Sequence, residues 1–301
     1  MNSKICLDEK YSTTRLNTKE IPEIVTNPED KFETVLFLPK GENRKGEGGL
    51  RTKGYFKKSF EDKPLVSIIT VVFNGEKYLE QTIQSVINQI YDNVEYIIID
   101  GGSNDDTLAI IKKYEDQIDY WVSEKDSGIY DAMNKGISLS LGEKIGIINA
   151  DDWYETNALT QLQINLECIE YGLLRLIKSE LEYQILRKSD IFLNESMIPH
   201  PTSFVSKSIY KKLGFYNTNY KFSSDYEFML RAKAKNIKFC TVNKILGNFR
   251  LDGVSSSSEA FLETTLIKYQ YGCGITSFDL LKLRLKLFLK NALISFKKLL
   301  K

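Results

Sequence analysis

The stretch LVSIITVVF, Leu65–Phe73, is nine residues without a charge, and all but Ser67 and Thr70 are apolar. It is too short to span a bilayer and too uniform for a strand with one wet face, so it predicts a strand covered on both sides. Asn74-Gly75 then turns the chain, and Tyr78, Leu79, Ile83, Val86, Ile87 and Ile90 return at helical spacing. The unit repeats. Val94–Asp100 reads as a second buried strand, Asp119–Glu124 as a short third and Glu143–Asn149 as a fourth. One helix is expected behind Ser103-x-x-Asp106, which has the form of a capping box, and another over 129–141. Strand and helix alternating at roughly thirty-residue spacing predict an α/β fold, a mostly parallel sheet flanked by helices.

Sheets of that kind bind ligands beyond the carboxyl ends of the strands, near a switch in strand order. The polar residues expected there are Asn74, Asp100, Glu124, Asp126, Asn149, Asp151 and Asp152. No GxGxxG follows the first strand and no GxxxxGK[ST] occurs, which argues against a dinucleotide site and a P-loop. The chain has one histidine, His200, so a His-rich zinc site is excluded and a Ser-His-Asp triad would need that residue. Proton transfer and metal binding fall to carboxylates. Hard oxygen ligands suit Mn²⁺ or Mg²⁺ holding a diphosphate. Asp151 is the expected metal ligand. Asp152 is either its partner or the N-cap of a helix starting at Trp153.

The remainder is less regular. A net charge of +1 over 301 residues gives no reason to expect nucleic acid as a partner. Cys6, Cys168, Cys240 and Cys273 lack CxxC spacing and, with no secretory signal at the N-terminus, read as reduced thiols of a cytoplasmic protein. Between Lys40 and Lys58, seven Lys/Arg face two Glu and four glycines fall within Gly41–Gly49, the pattern of a flexible basic arm. Glu155–Asn165 reads as a helix. Ile169–Lys188 fits a helix or a β-meander, with Gly172 and the alternation over Leu181–Leu186 favouring strands. Ser206–Leu213 and Asp225–Lys235 read as helices and Phe239–Leu246 as a strand. From Ser277 to Lys301, seven Lys/Arg face Asp279 among leucines. That tail fits either an amphipathic helix on an anionic membrane or a helix packed on the domain, and Leu281–Leu289 also fits a strand.

Three stretches in order, SIITVVFNGEKYLEQTIQSVINQIYDNVEYIIIDGGSNDDT, SEKDSGIYDAMNKGI and INADDWY, resemble a family 2 glycosyltransferase of the GT-A fold. The likeness is to bacterial members that build O-antigen, capsule and exopolysaccharide. It is strong over about Pro64–Tyr154 and looser over Ser196–Ser256. It divides the chain into an N-terminal extension with the basic arm (1–62), a GT-A domain (63–258) and a basic amphipathic tail (259–301).

The resemblance implies roles. Val71 and Phe73 would shape the nucleotide-base pocket, and Asp100 would hydrogen-bond the base. Asp105 matches an acidic position of the family's DGSxD pattern. Asp126 and Gly128 would position donor sugar and phosphate, with Asn134 and Lys135 on the helix behind. The metal motif is usually DxD. Here it is Asn149-Ala150-Asp151, in which Asp151 keeps the ligand position and Asn149 is left to contact ribose. FSSDYEFMLRA (Phe222–Ala232) matches the acidic motif that supplies a base, so Asp225 is the expected general base and Glu227 the fallback. His200 would lie near acceptor or diphosphate, and Arg250 would pair with diphosphate.

The implied activity is an inverting, metal-assisted transfer of a sugar from a nucleotide-sugar, a UDP-sugar, to a lipid-linked or growing glycan acceptor. It would occur at the inner face of the cell membrane, with peripheral contact through the tail. The alternatives are a nucleotidyltransferase or a non-catalytic nucleotide-sugar-binding component of a polysaccharide complex.

Overall fold

In the computed structural model, which describes residues 16–41, 43–251, 258–283 and 285, Leu65–Val72 of the first apolar run are all buried and Phe73 at its end is exposed. The elements in chain order are β1 (Gly46–Gly48), β2 (Val66–Val72), α1 (Leu79–Ile87), β3 (Val94–Asp100), α2 (Thr107–Lys113), β4 (Tyr120–Ser123), α3 (Ile129–Leu139), β5 (Lys144–Asn149) and β6 (Trp153–Tyr154). Then follow β7 (Ile169–Lys178), β8 (Leu181–Leu186), β9 (Ser203–Ser206), α4 (Lys207–Leu213), α5 (Ser224–Ala234), β10 (Phe239–Arg250) and α6 (Ser258–Gln270).

A period of two lies hidden in the apolar runs. Ile69, Val71, Ile97 and Ile99 face one layer with Met133 and Ile137 of α3. Val66, Ile68, Val72, Tyr96 and Ile98 face the other with Leu79, Ile83 and Val86 of α1. Each such buried aliphatic side chain stabilises by about 1.5–3 kcal/mol, which is why the pattern dominates the fold.

The strands lie in one sheet in the order β1-β4-β3-β2-β5-β9-β7-β10-β6, with β8 paired to β7. Pairs β4–β3, β3–β2 and β2–β5 are parallel, as the alternation predicts. The chain winds outward through β3 and β4 and then returns to the other side of β2 as β5. The switch point thus falls between the ends of β2 and β5. Beyond β5 the sheet is mixed: β9 is antiparallel to β5 and β7, and β10 is parallel to β7.

Several expectations are corrected. The basic segment before Pro64 is not a flexible arm where it is described. Gly46 pairs with Ser123, making β1 an antiparallel edge strand on β4. Arg51 is 2% exposed and its guanidinium meets Glu95 at 2.5 Å and the Leu139 carbonyl at 2.9 Å. Lys57 is 1% exposed, 3.5 Å from Asp119. These cations pair with acids at the leading ends of β3 and β4, and removing one would strand a buried charge.

The stretch 155–165 holds one 3₁₀ turn, Leu159–Gln161, instead of a helix, because neighbouring strand and helix claim its backbone. Glu155 N–H bonds the Leu246 carbonyl, and the Thr156 carbonyl takes Ile90 N–H. The capping box at Ser103 is not formed: α2 starts at Thr107, and Ser103 is turned toward Asp100. Asp152 caps no helix, since Trp153 enters β6.

The strand reading of 169–188 holds. The β7–β8 hairpin turns through Ser179 and Glu180, both with positive φ, the geometry of a tight two-residue turn. At Gly172 a Cβ would lie 2.4 Å from Leu246, so the close approach of β10 requires glycine. Residues 277–283 are helical, so the strand alternative fails there. The rest of the basic tail, 286–301, and Cys6 lie outside the described residues. Among the described residues no helix is long and apolar enough to cross a membrane.

Candidate functional site

The open edge is built from the loops that leave β2, β3, β4 and β5. The first two are stitched together. Asn74, at φ 52°, takes the N–H of Asn104 on its side-chain oxygen at 2.9 Å and gives its own N–H to Ser103 Oγ at 2.7 Å. Gly75 N–H reaches Thr107 Oγ1 at 2.8 Å. Asp105 accepts from Glu76 N–H at 3.1 Å and Thr107 N–H at 3.1 Å. Partial burial would raise its carboxyl, but these donors win and hold it below the ordinary value. Asp105 therefore fastens the turn.

Asp100 is fully buried. Its carboxylate takes Ser103 N–H at 3.1 Å, the Ser103 hydroxyl, and Ser123 Oγ at 2.5 Å. Every one of these partners belongs to the fold, so in this structure Asp100 organises its loop and does not present itself at the edge. Val71 is likewise 5% exposed, inside the core.

Phe73, in contrast, is 63% exposed. A Cβ at Gly101 would lie 3.4 Å from its ring and 2.5 Å from Asp126 Oδ2. Glycine here lets an exposed aromatic ring and a carboxylate approach the same spot. Asp126 also accepts Gly128 N–H at 2.9 Å, and burial raises its carboxyl despite that bond. Gly128, at φ 118°, starts α3 in a conformation that favours glycine.

Lys135 does not face this opening as a free cation. It binds Glu124 at 3.0 Å, and Arg44 of the N-terminal segment takes the other Glu124 oxygen at 2.8 Å. Burial pushes Glu124 up, but the two cations overcome it and hold it below its ordinary value. Lys45 clasps the Gly102 and Ser103 carbonyls, each at 2.9 Å, and Asn104 Oδ1 at 2.7 Å. The segment ahead of Pro64 thus braces the loops after β3 and β4. Sequence reading missed Arg44 and Lys45 because their partners lie more than fifty residues away.

At the end of β5, Asp151 and Asp152 have different surroundings. Asp152 is fully buried. Its Oδ1 takes Arg250 N–H at 3.1 Å and its Oδ2 has no partner. Burial, aided by the Asp151 charge, pushes its carboxyl well above the usual range. Asp151 is half-buried, and burial raises it too, against the pull of Arg250. Among the described residues no side chain donates to the Asp151 carboxylate.

Arg250 is 4% exposed and sandwiched between the rings of Tyr78 at 4.0 Å and Trp153 at 4.4 Å. It donates to the Asp151 carbonyl at 2.5 Å and Gln81 Oε1 at 2.6 Å. The guanidinium expected to pair with diphosphate is therefore committed to holding the Asp151 turn. It is also the positive charge beside the two acids.

Do these residues fit a divalent ion? Asp151 offers a carboxylate to which no described side chain donates, and Asn149 Oδ1 is buried without a partner two residues before it. Both are hard oxygens. No group of three or more His, Cys, Asp or Glu suited to a metal occurs among the described residues. A Mn²⁺ or Mg²⁺ ion would thus take Asp151 from the protein and most other ligands from phosphate and water, which is the habit of such ions.

A second cluster forms around α5. Its leading loop is pinned by Glu263 of α6, which accepts the N–H groups of Lys221, Phe222 and Ser223 at 2.7–2.8 Å. Asp225 follows in the first turn. Its Oδ1 accepts from Tyr130 Oη at 2.9 Å. His200 meets Tyr216 Oη at 3.2 Å, and burial lowers its pKa against the opposing charge of Asp225. Asn134 grips the Tyr216 backbone with both ends of its amide, at 2.9 and 3.0 Å. The structure so brings together Asp225, Tyr130, His200 and Tyr216.

Glu227 does not join them. Two residues along a helix is more than half a turn, and Glu227 instead pairs with Arg231 at 3.0 Å and Tyr271. The fallback base is thus sequestered on the far face. Tyr130 went unnoticed in sequence although it lies inside a quoted motif. Its only signal was a polar-tipped aromatic at the start of an amphipathic helix.

Residues 67–171 match the profile described as Glycosyl transferase family 2. An uncharacterized glycosyltransferase of Mycobacterium tuberculosis (strain CDC 1551 / Oshkosh) is 33% identical over 210 residues, 65% of this chain and 79% of the relative. Among solved structures, S. aureus TarS 1-349 in complex with UDP superposes with a TM-score of 0.54 at 19% identity, over 69% of this chain and 65% of that one. The mannosyltransferase PcManGT from Pyrobaculum calidifontis, in complex with GDP-Man and Mn²⁺, gives 0.52 at 16% identity, over 69% and 63%. Against the longer TarS chain, this chain spans 39% of the length. The fold is the GT-A fold. The chain belongs to glycosyl transferase family 2 and is a glycosyltransferase.

Proposed function

We propose that the protein is an inverting glycosyltransferase that moves a sugar from a UDP-sugar to a lipid-linked or growing surface-polysaccharide acceptor. The observation that carries the reading is the pairing of two kinds of site on one sheet edge. Phe73 and Asp126 converge on Gly101 after β3, Asp151 follows β5 with no described side chain donating to its carboxylate, and Asp225 stands in a separate aromatic-walled cluster. The aromatic ring suits a base and the oxygen set suits a diphosphate with Mn²⁺ or Mg²⁺. Such an ion would neutralise charge developing on the leaving diphosphate. That TarS has been seen with UDP and PcManGT with GDP-Man and Mn²⁺ supports the donor class.

In the proposed step, Asp225 takes the proton of an acceptor hydroxyl as its oxygen bonds to the anomeric carbon. The bond from that carbon to the diphosphate oxygen breaks, and the nucleoside diphosphate leaves with the electron pair. Asp100, Asp105, Glu124, Lys135 and Arg250 hold the loops in place. For the tail we propose peripheral attachment to the inner face of the membrane. Phe278, Leu281 and Leu285 are exposed at i, i+3 and i+7, with Lys282 and Arg284 between them and five more lysines after Leu285.

The test is equilibrium binding of a panel of nucleotide-sugars with and without Mn²⁺, followed by product analysis. Free nucleoside diphosphate is expected, and pyrophosphate instead would establish a nucleotidyltransferase. Asp151→Ala should abolish the Mn²⁺ dependence of binding. Unchanged dependence would remove the metal assignment.

A further inference from the structure

Tyr130 sits in the first turn of α3, four residues after Asp126, so one turn of chain reaches both clusters of the edge. Its ring is 5% exposed and leans on Tyr216 with centroids 5.7 Å apart. Its hydroxyl donates to Asp225 Oδ1, which also takes the N–H of Tyr226 at 2.9 Å. Among the described residues no side chain meets Asp225 Oδ2.

Resting on the reading of Asp225 as base, we infer that Tyr130 is a positioning residue: it holds Oδ1 and turns Oδ2, the undonated oxygen, to the acceptor hydroxyl. The proton of that hydroxyl passes to Oδ2, and Tyr130 keeps its own. Burial first, and then the Asp225 charge, push the Tyr130 hydroxyl far above its ordinary range, so it remains a donor throughout.

The groups facing Asp225 from neighbouring elements are few. Tyr130 comes from α3, His200 from the His200–Thr202 turn and Tyr216 from the loop before α5. Burial holds His200 toward its neutral form, and the Tyr216 hydroxyl is shared with Tyr210 at 3.0 Å. On its own helix, Glu227 is paired with Arg231, and behind the loop Glu263 is occupied by backbone N–H groups. Tyr130 is thus the one described side chain that donates a hydrogen bond to the carboxylate.

A tyrosine that merely filled the core would be replaced by phenylalanine without effect on Asp225. The test is carboxyl ¹³C NMR titration of the full chain as wild type, Tyr130→Phe and a protein with 3-fluorotyrosine at 130, with Asp225→Asn to assign the signal. Loss of the donor should move the Asp225 midpoint up by about one pH unit. The more acidic fluorinated donor should move it down. The acid limb of kcat/KM for transfer should follow, with kcat in Tyr130→Phe lower by about tenfold and donor KM unchanged. A midpoint that stays put in both variants overturns the inference. Full transfer by Asp225→Asn would overturn the base assignment, and the role of Tyr130 with it, whatever the titration shows.

Discussion

The two parts of the edge, the one proposed for the donor side and the one proposed for the acceptor side, hold their carboxylates differently. On the donor side Asp100, Asp105 and Glu124 are saturated by hydroxyls, N–H groups and cations of the fold, while Asp126 and Asp151 beside them are raised by burial and under-donated. On the acceptor side a single carboxylate, Asp225, is held by a tyrosine hydroxyl among aromatic rings. Saturated acids are structural; under-donated ones have capacity left for a ligand. An acidic position in a motif does not say which kind it is, and the partners do.

The sharpest way to break this comparison is at Asp225. Asp225→Asn should lower transfer by about 10²–10⁴-fold, the range of a lost general base. Nucleotide-sugar binding, measured by calorimetry, should stay within about twofold, because the amide oxygen of an asparagine can still accept from Tyr130, which ties position 225 to the start of α3. Loss of both together would mean that the two sides are one site.

Within the donor side, Asp100→Asn and Asp151→Ala make a matched pair. An amide at position 100 would set N–H against the Ser103 N–H, leaving a buried donor unmet. Chemical unfolding should show a loss of about 1–3 kcal/mol. Asp151→Ala breaks no side-chain bond of the fold and should change stability by no more than about 0.5 kcal/mol. Equal losses would erase the distinction between saturated and open acids.

How much of this was legible follows from how far each partner lies along the chain. The buried strands, their order of appearance and the polar residues at their ends are local patterns, so the polar edge of the sheet could be read off. What each end residue does was not local. Asp152 looks like a helix cap until its donor proves to be the N–H of Arg250, ninety-eight positions on. Arg250 looks like a phosphate ligand until Tyr78 and Trp153 close over it. Arg51 and Lys57 look like a solvated arm because their partners come much later in the chain, Glu95 within β3 and Asp119 just before β4. On the acceptor side even the elements blurred past Asp152, where strands pair across long connections. Asp225 was found by resemblance, and Tyr130, its partner ninety-five residues earlier, was not.

The smallest effect probes the acceptor cluster through His200, the chain's one histidine. Burial lowers its pKa in the folded protein, with Asp225 pulling the other way. The unfolded chain binds a proton near the ordinary value of about 6.5 and the folded chain does not. Stability is therefore full above about pH 6.5 and is lost as pH falls toward the depressed value, by at most about 1.4 kcal/mol per pH unit. Asp126 and Asp151 act with the opposite sign, since raised carboxyls lose stability as pH rises above about 3.8. The difference between wild type and His200→Gln, taken from urea unfolding at half-unit steps from pH 7.5 to 5, cancels those carboxyls. That difference should be flat above about pH 6.5 and narrow below it. In Asp225→Asn the wild-type slope should steepen, because the charge that eases protonation of His200 is gone. An unchanged slope in that variant would mean that His200 and Asp225 do not sense each other, and that the aromatic cluster insulates the acceptor carboxylate from its neighbours.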